Sequence, residues 1–531
     1  MVNSRWGGTG RDDDTGTGLP RRNILQGLGS LPLLGALGSA EARAQGSSPR
    51  RGGTLKLAAA YSPQSLDPLT GALGHDHIFL YPLFDTLVEF EPRSLAPRPG
   101  LATSWEYPDP KTLVFTLREG IRFHDGTIFD AAAVKANLDR AIGDERSSVK
   151  GDLQSLQSIE VLAPNKVALH LKRPDTALPL ILADRSGMMS SPKAMAEKGR
   201  QYDRAPVGTG PFTFQRWDDG DVIVVVRNEN YWKPGLPYLD GITFRLIADF
   251  NTALRSVMGN ENHFAFRLNP QQQAVADRVK GKLIVSSAPT ISDYHLCFNY
   301  RRPLLADIRV RQAVNYAIDR EAFNKVALLG LGTPAQTMLP PGYWAHDEQL
   351  NGYYKHDPDK ARSLLAEAGY KDGVDFKFYG YPDQASQQRQ EIIVEQLRRV
   401  GMRAVMTVGT PPDMHQHFMI QGEGDIMLTL WSGRPDPSLP FLLIYGETGF
   451  NNAGKVPPPP DMIAAQNDTQ TEAQQPGRKA AFARLERAAL QYALSCELSF
   501  VPLIDVYTPN VKNYTPNLLG KPRFNEVWLE A

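Results

Sequence analysis

Cysteine is nearly absent from this chain of 531 residues: Cys297 and Cys496, 199 positions apart, are the only two. A dense disulfide scaffold is therefore excluded, and whether these two pair is left open, since both sit in apolar, strand-like surroundings ("YHLCFNY", "ALSCELSFVPL") where a free cysteine packs equally well. Net charge is absent too. The 58 basic and 58 acidic residues cancel, which leaves no field to hold a phosphate backbone or an anionic membrane surface, and nucleic acid is excluded as a partner. No apolar run is long enough to cross a bilayer, and no period of 20 to 50 residues marks a repeat solenoid. Catalytic signatures are missing as well. There is no G-x-S-x-G elbow and no H-E-x-x-H pair, and neither cysteine shows a histidine partner in the sequence. "GFNNAGKV" has the glycine and lysine spacing of a phosphate loop, but Val456 and a run of prolines stand where Ser or Thr and a helix are needed. His75 with His77, and His415 with His417, lack a third ligand nearby and read as solvated loop histidines. The chain is expected to be neither an enzyme nor a holder of metal or cofactor.

What is present is an ordinary globular composition, 42% hydrophobic and 22% charged, with 41 prolines and 45 glycines for turns. Its length suits two or three domains. The first 44 residues read as a leader: paired Arg21 and Arg22, then Ile24 and Leu25, a short Gly-rich apolar stretch, and Ala42-Arg43-Ala44 as a small-x-small cleavage site. This resembles a twin-arginine export signal. Removing its five basic and four acidic residues leaves 53 against 54, so the mature chain stays neutral. No cysteine follows the cleavage site to carry a lipid, and a freely diffusing periplasmic monomer without a membrane anchor is expected.

Beyond the leader, strands alternate with helices. "GGTLKLAAAY", "KTLVFTLREGIRF", "NKVALHLKR", "VIVVVRNE" and "GITFRLIAD" predict strands. Asp130 predicts the cap of a helix carrying Val134, Leu138, Ala141 and Ile142 on one face, with Gly143 beyond its end. "IRVRQAVNYAIDREAF" after Asp307 reads as one helix, striped by Val310, Val314, Ala317 and Ile318. In "HDPDKARSLLAEAGY", Asp357 is the cap, Pro358 the first helical residue and Gly369 the stop. "QQRQEIIVEQLRRVGMRAVMTV" predicts helix, glycine stop and strand. "GKVPPPPDMIAAQNDTQTEAQQPG" predicts a surface loop and an exposed helix, followed by a helix with Phe482, Leu485, Ala489 and Tyr492 on one side. Such an order is that of α/β lobes whose strands end at ligand-bearing loops.

Five stretches taken in order carry a family likeness: "TLVFTLREGIRFHDGTIFDAAAVKANLDRA", "PVGTGPFTF", "RNENYWKPGLPYLDGITFRLI", "FNYRRPLLADIRVRQAVNYAIDREAF" and "DKARSLLAEAGY". Together they resemble the periplasmic solute-binding proteins of family 5, the dipeptide, oligopeptide and nickel-type binders of ABC importers, from Gly52 to the C-terminus. The resemblance implies a bilobed periplasmic-binding-protein fold of type II, cluster C, with an extra domain inserted in lobe I. It places lobe I at residues 52–95, 206–288 and 500–531, the inserted domain at 96–205 and lobe II at 289–499. It also implies a partner, an ABC permease in the inner membrane, to which a captured peptide or peptide-like solute is delivered.

"LTLWSGRPDPSLPF" belongs to the lobe II side of the implied cleft. Peptide-binding relatives resemble W-x-x-D followed by a D-P or E-P turn there, the aspartate holding the ligand's ammonium. Trp431 and Asp436-Pro437 match, whereas Arg434 takes the aspartate's place. The relatives' arginine before the helix near residue 385, which meets the ligand carboxylate, is also replaced: "FKFYGYP" brings Tyr379 and Tyr381. Arg434 keeps its proton, so either an anionic group of the ligand meets it while an apolar or ring portion lies on Trp431, or it pairs internally with Asp436 or another carboxylate. The candidate ligand-binding residues are Trp431, Ser432, Gly433, Arg434, Asp436, Tyr294, Tyr61, Ser62 and Tyr379. The alternatives are a binder of a non-peptide anionic solute (opine-like, a sugar derivative or a metal chelate), which a chemoreceptor could read, and a secreted hydrolase.

Overall fold

The structure is a computed structural model, and residues 48–531 are described apart from Ala72, Lys280 and Phe450. The expected export signal lies outside the described residues.

Two large mixed sheets organise the chain. The first has seven strands, in spatial order 284–288, 503–507, 264–266, 54–59, 241–246, 222–227 and 212–218. Its centre is parallel: Thr54–Ala59 lies beside Gly241–Leu246 in the register Thr54 to Gly241 through Ala59 to Leu246. The second has six, ordered 333–334, 495–500, 293–298, 426–431, 374–380 and 402–408. A four-stranded antiparallel sheet, 102–109, 112–117, 166–171 and 156–163, carries the helix Ala131–Gly143. The bilobed α/β class expected from the sequence is what these sheets build. Each large sheet has its own core, with Leu55, Leu57, Ile242 and Phe244 in the first, and Leu296, Phe376, Phe378, Val310 and Val314 in the second.

Two strands pass from one sheet into the other side by side. Ile284–Ala288 pairs with Leu503–Tyr507 in the first sheet, and their continuations, Asp293–Phe298 and Ser495–Phe500, pair in the second. Between them Val501 N–H donates to Ser292 O (2.8 Å) and Thr290 Oγ1 donates to Val501 O (2.6 Å). The two crossovers are thus bonded to each other along their length.

Caps follow the sequence closely. Asp130 accepts from Ala133 N–H at 2.9 Å, and Asp357 from Lys360 N–H at 2.9 Å, with Pro358 opening that helix and Gly369 at φ +95° after it. Several expectations need correction. Gly143 is the last residue of its helix, and Asp144 follows as the cap. The strand at 112 stops at Leu117, before the turn at Gly120 (φ +77°). The stretch after Asp307 forms two helices, Ile308–Ala317 and Arg320–Ala327. Asp319 breaks them apart because its side chain accepts from Ala322 N–H (2.9 Å), offering the backbone a fresh start. The segment after the prolines forms the helix Pro460–Thr471, half-buried instead of exposed: Met462 and Ala465 pack into the first core, close to Phe482 and Leu485 of the helix Gln475–Gln491. His77 is no loop histidine either. It opens the helix His77–Leu83, fully buried, with its Nε2 2.6 Å from Asp184.

Both cysteines are buried and free. Directly opposed residues of adjacent strands share a face, and Cys496 opposes Leu296, so Cys297 lies on the other face of the sheet. Accordingly Cys496 belongs to the second core and Cys297 to a satellite cluster with Met414, Phe418 and Met427. A bridge is geometrically barred.

Candidate ligand-binding cleft

The strand Ile426–Trp431 ends where the two sheets' loops meet. Its last residue, Trp431, is buried opposite Asp293. Ser432 follows, and Gly74 lies so close that a Cβ built on it would fall 2.5 Å from Ser432 Cβ. Gly433 is equally confined, since its Cβ would meet Ile291 at 2.2 Å. The loop bearing Gly74 is fixed from beneath: Arg185 donates to Gly71 O and Leu73 O, both 2.8 Å, and pairs with Asp76 at 3.3 Å.

Arg434 turns its guanidinium over the Trp431 ring, 5.4 Å from the centroid. It does not pair with Asp436. That carboxylate is fully buried and already taken, accepting from Arg478 Nη2 with both oxygens (3.0 Å each) and from Ser438 N–H (2.9 Å) and Oγ (2.6 Å). Asp436 therefore fixes the Pro-Asp-Pro turn. The charged groups that Arg434 acts on are Asp152, Asp184 and Lys521. Burial pushes Asp152 up, with Arg434 opposing. Burial also acts to raise Asp184, but His77 and Lys521, with Arg434 behind them, hold it well below the usual carboxylate range. Neither lies within ion-pair distance of Arg434 among the described residues. Arg434 Nε and Trp431 Nε1 are both buried donors with no acceptor among the described residues.

Further along, Tyr61 stacks on His75 (ring centroids 4.4 Å) with Phe250 edge-on at 6.2 Å. Burial, then Arg267 and Arg185, push the His75 ring down to about 3, so it is neutral here. From the second sheet Tyr294 carries Arg389 over its ring at 4.6 Å, and Arg389 donates to Ser386 Oγ (2.8 Å). Tyr61 feels Arg267, Tyr294, Arg389 and Asp383, so side chains from both sheets converge there.

Of the candidates read from sequence, Trp431, Ser432, Gly433 and Arg434 lie together, and Tyr61 and Tyr294 converge on one another. Ser62 is exposed beside Tyr61. Tyr379 goes elsewhere: it is buried against Phe418 and Met414, with its hydroxyl donating to Glu423 (3.3 Å). Three residues were missed. Arg389 sits inside the helix Gln384–Arg398, about one turn past residue 385, near which the relatives carry their arginine. Arg267 occupies a left-handed bend (φ +54°) after the short strand Phe264–Phe266, with no sequence signature. Asp293, a fully buried carboxylate opening the strand Asp293–Phe298 opposite Trp431, carries no cue in the sequence beyond its place in "SDYHLCF".

The chain is thus a bilobed α/β protein in which two buried donors, Trp431 Nε1 and Arg434 Nε, find no acceptor among the described residues. Residues 96–452 match the bacterial extracellular solute-binding proteins, family 5 Middle, and this chain belongs to that family. It is 37% identical over 302 residues to the glutathione-binding protein GsiB of Salmonella typhimurium strain LT2, which covers 56% of this chain and 58% of that protein. The same protein of Escherichia coli strain K12 is 37% identical over 301 residues. The chain thus spans under two thirds of the length of these curated relatives. Among solved structures, the periplasmic binding protein AgaA in complex with agropinic acid, from A. tumefaciens R10, superposes with a TM-score of 0.82 at 23% identity, covering 90% of this chain and 99% of that one. DppA of Helicobacter pylori in complex with the peptide STSA also gives 0.82, at 22% identity over 91% and 99%. These likenesses establish a shared fold. Among the described residues, no helix is long and apolar enough to cross a membrane.

Proposed function

We propose that this protein is the periplasmic solute-capturing component of an ABC importer, exported through the twin-arginine pathway and acting as a monomer. It closes two lobes, with the boundaries drawn from the sequence, around a short peptide or peptide-like solute and hands it to an inner-membrane permease. No covalent step is required, because burial and satisfaction of polar groups supply the selectivity.

The observation carrying this reading is the pair of buried donors, Trp431 Nε1 and Arg434 Nε, that find no acceptor among the described residues. A buried donor without an acceptor costs about 1–3 kcal/mol, more when charged, and a carboxylate or carbonyl of the solute relieves both. Arg389 and Arg267 supply further positive charge towards Tyr61 and Tyr294. Such a cleft suits an acidic or carboxylate-rich peptide, and glutathione, the solute named for the 37% identical relatives, is the first compound to test. The same arginines favour a second reading, a non-peptide anionic solute of the opine kind.

Calorimetry with glutathione, short dipeptides and an opine tests this on wild type and Arg434→Ala. Loss of a charge-assisted contact predicts a fall in affinity of roughly ten-fold or more. Unchanged affinity removes Arg434 from the ligand, and altered product recovered from the cell would point to a hydrolase.

A further inference from the structure

Two segments from different halves of the molecule are hydrogen-bonded to each other outside the crossovers. One is the loop 173–177, which follows the strand Lys166–Leu171 of the four-stranded sheet. That sheet is fastened to the first half. Ala102 N–H donates to Leu87 O (2.9 Å), and His124 N–H donates to Gly208 O (2.9 Å), shortly before the first-sheet strand Phe212–Asp218. The other segment is the C-terminal end of the helix Pro460–Thr471. With the helix Gln475–Gln491 it forms an excursion between two strands of the second sheet, Ile426–Trp431 and Ser495–Phe500. Its ends are tied to that half: Arg311 donates to Tyr492 O (2.9 Å), Tyr354 OH to Leu490 O (2.7 Å) and Tyr445 OH to Glu497 (3.1 Å).

Where the two segments meet, the contact is polar. Thr176 N–H donates to Gln470 O (2.6 Å), Thr176 Oγ1 reaches Gln470 O and Glu472 O (3.0 Å each), and Arg173 donates to Gln470 Oε1 (2.6 Å). The last carbonyls of a helix have no partner within it, so the loop supplies donors that this helix end lacks. Each side is held ready by its own half. Asp175 accepts from Ser155 Oγ (2.6 Å) and from Ala177 N–H (3.1 Å), shaping the loop. Arg478, anchored on Asp436, donates to Thr469 O (2.7 Å) and steadies the helix end. Gln470 is polar yet buried, and its burial depends on the loop that covers it. Hydrogen bonds of this kind exchange for water at modest net cost, as in contacts between domains that move.

We propose that the loop 173–177 and the end of the helix Pro460–Thr471 form a latch between the halves, made on closure and broken on opening. It stabilises the closed form by bonds within the protein alone. The inference rests on the solute-capture reading above and adds a determinant of affinity that is the same for every solute, because a contact made only in the closed form shifts the population towards it.

The test is the double variant Thr176→Cys/Gln470→Cys. The backbone bond between these positions keeps their Cα atoms within about 6.8 Å, the outer limit for a disulfide. Oxidised without any solute, the variant should be more compact in small-angle scattering than its own reduced form. Equal scattering from the two forms marks a permanent joint and overturns the latch. Failure to cross-link under oxidant overturns it too, because the segments then do not meet. Both results are read without ligand and leave the solute-capture reading standing, which falls separately if wild type takes up neither glutathione nor Met-Leu. Arg173→Ala/Thr176→Val removes the side-chain bonds and should weaken binding of these compounds roughly five- to thirty-fold by calorimetry. Should the cysteine pair not fold, an affinity equal to wild type in Arg173→Ala/Thr176→Val overturns the latch.

Discussion

Placing one methyl group between the lobes should hold this protein open. Gly74 is not in a left-handed conformation, so alanine is acceptable to its backbone, but the new Cβ would lie 2.4 Å from Ser432 Oγ and 2.5 Å from Ser432 Cβ. Ordinary contact begins near 3.4 Å, leaving a shortfall of about 1 Å against a Cβ that rotates nowhere. Neither side yields readily. Arg185 ties down the loop carrying Gly74, and Ser432 is followed by Gly433, itself pressed on Ile291. Overpacking of this kind costs about 1–3 kcal/mol. With the lobes closing as in the proposed function, the penalty falls on the closed form alone and passes into ligand affinity as a loss of roughly 5- to 150-fold. Small-angle scattering with and without saturating glutathione or dipeptide, alongside calorimetry, reads both effects: Gly74→Ala should compact less and bind more weakly. Gly143→Ala is the control, since it opens onto empty space at the end of its helix and should leave binding unchanged. Equal compaction and equal affinity in Gly74→Ala and wild type would refute the argument that Gly74 and Ser432 meet on closure.

Two further predictions concern stability. Asp436→Ala strands Arg478 beside a buried turn and should cost about 3–5 kcal/mol in urea unfolding, whereas a loss below about 1 kcal/mol would mean the pair is dispensable. Burial pushes Asp505 up to about 6 from 3.8, against donors from Tyr514 OH and Arg267 N–H. Between those values the folded carboxyl holds a proton that the unfolded one has lost, so stability falls as pH rises through this window, by on the order of 3 kcal/mol. Asp505→Asn should remove this component from unfolding curves measured between pH 4 and pH 7, and an undiminished slope would disprove the assignment.

The elements that sequence made legible are those with local causes. Asp130 and Asp357 cap their helices through their own side chains, and the glycines at 369 and 401 adopt the left-handed turn that stops a helix. Local signals failed where a distant partner decided. Nothing near Met462 announces that the 475–491 helix covers it, and the apolar stripe through Ile318 gave no hint that Asp319 would restart the chain. The site divides likewise. Trp431 to Arg434 are contiguous, so one stretch of sequence names them all. Asp436 carried the right residue type for a ligand contact, but Arg478, 42 positions away, claims it. Arg267 comes near Tyr61, and Asp293 comes opposite Trp431, only through the pairing of distant strands, which periodicity does not reveal, and Arg389 lies about one helical turn past residue 385.

The paired crossovers constrain what this molecule can do mechanically. Two tethers bonded edge to edge, from Thr290 and Ser292 to Val501, resist sliding and twisting of one half past the other, because either motion would shear those bonds. Swinging about an axis through them is the soft direction. On the solute-capture reading proposed above, access is governed by a single angle, like the gap of a hinged book cover, and solutes of different girth are sorted by how far that angle shuts.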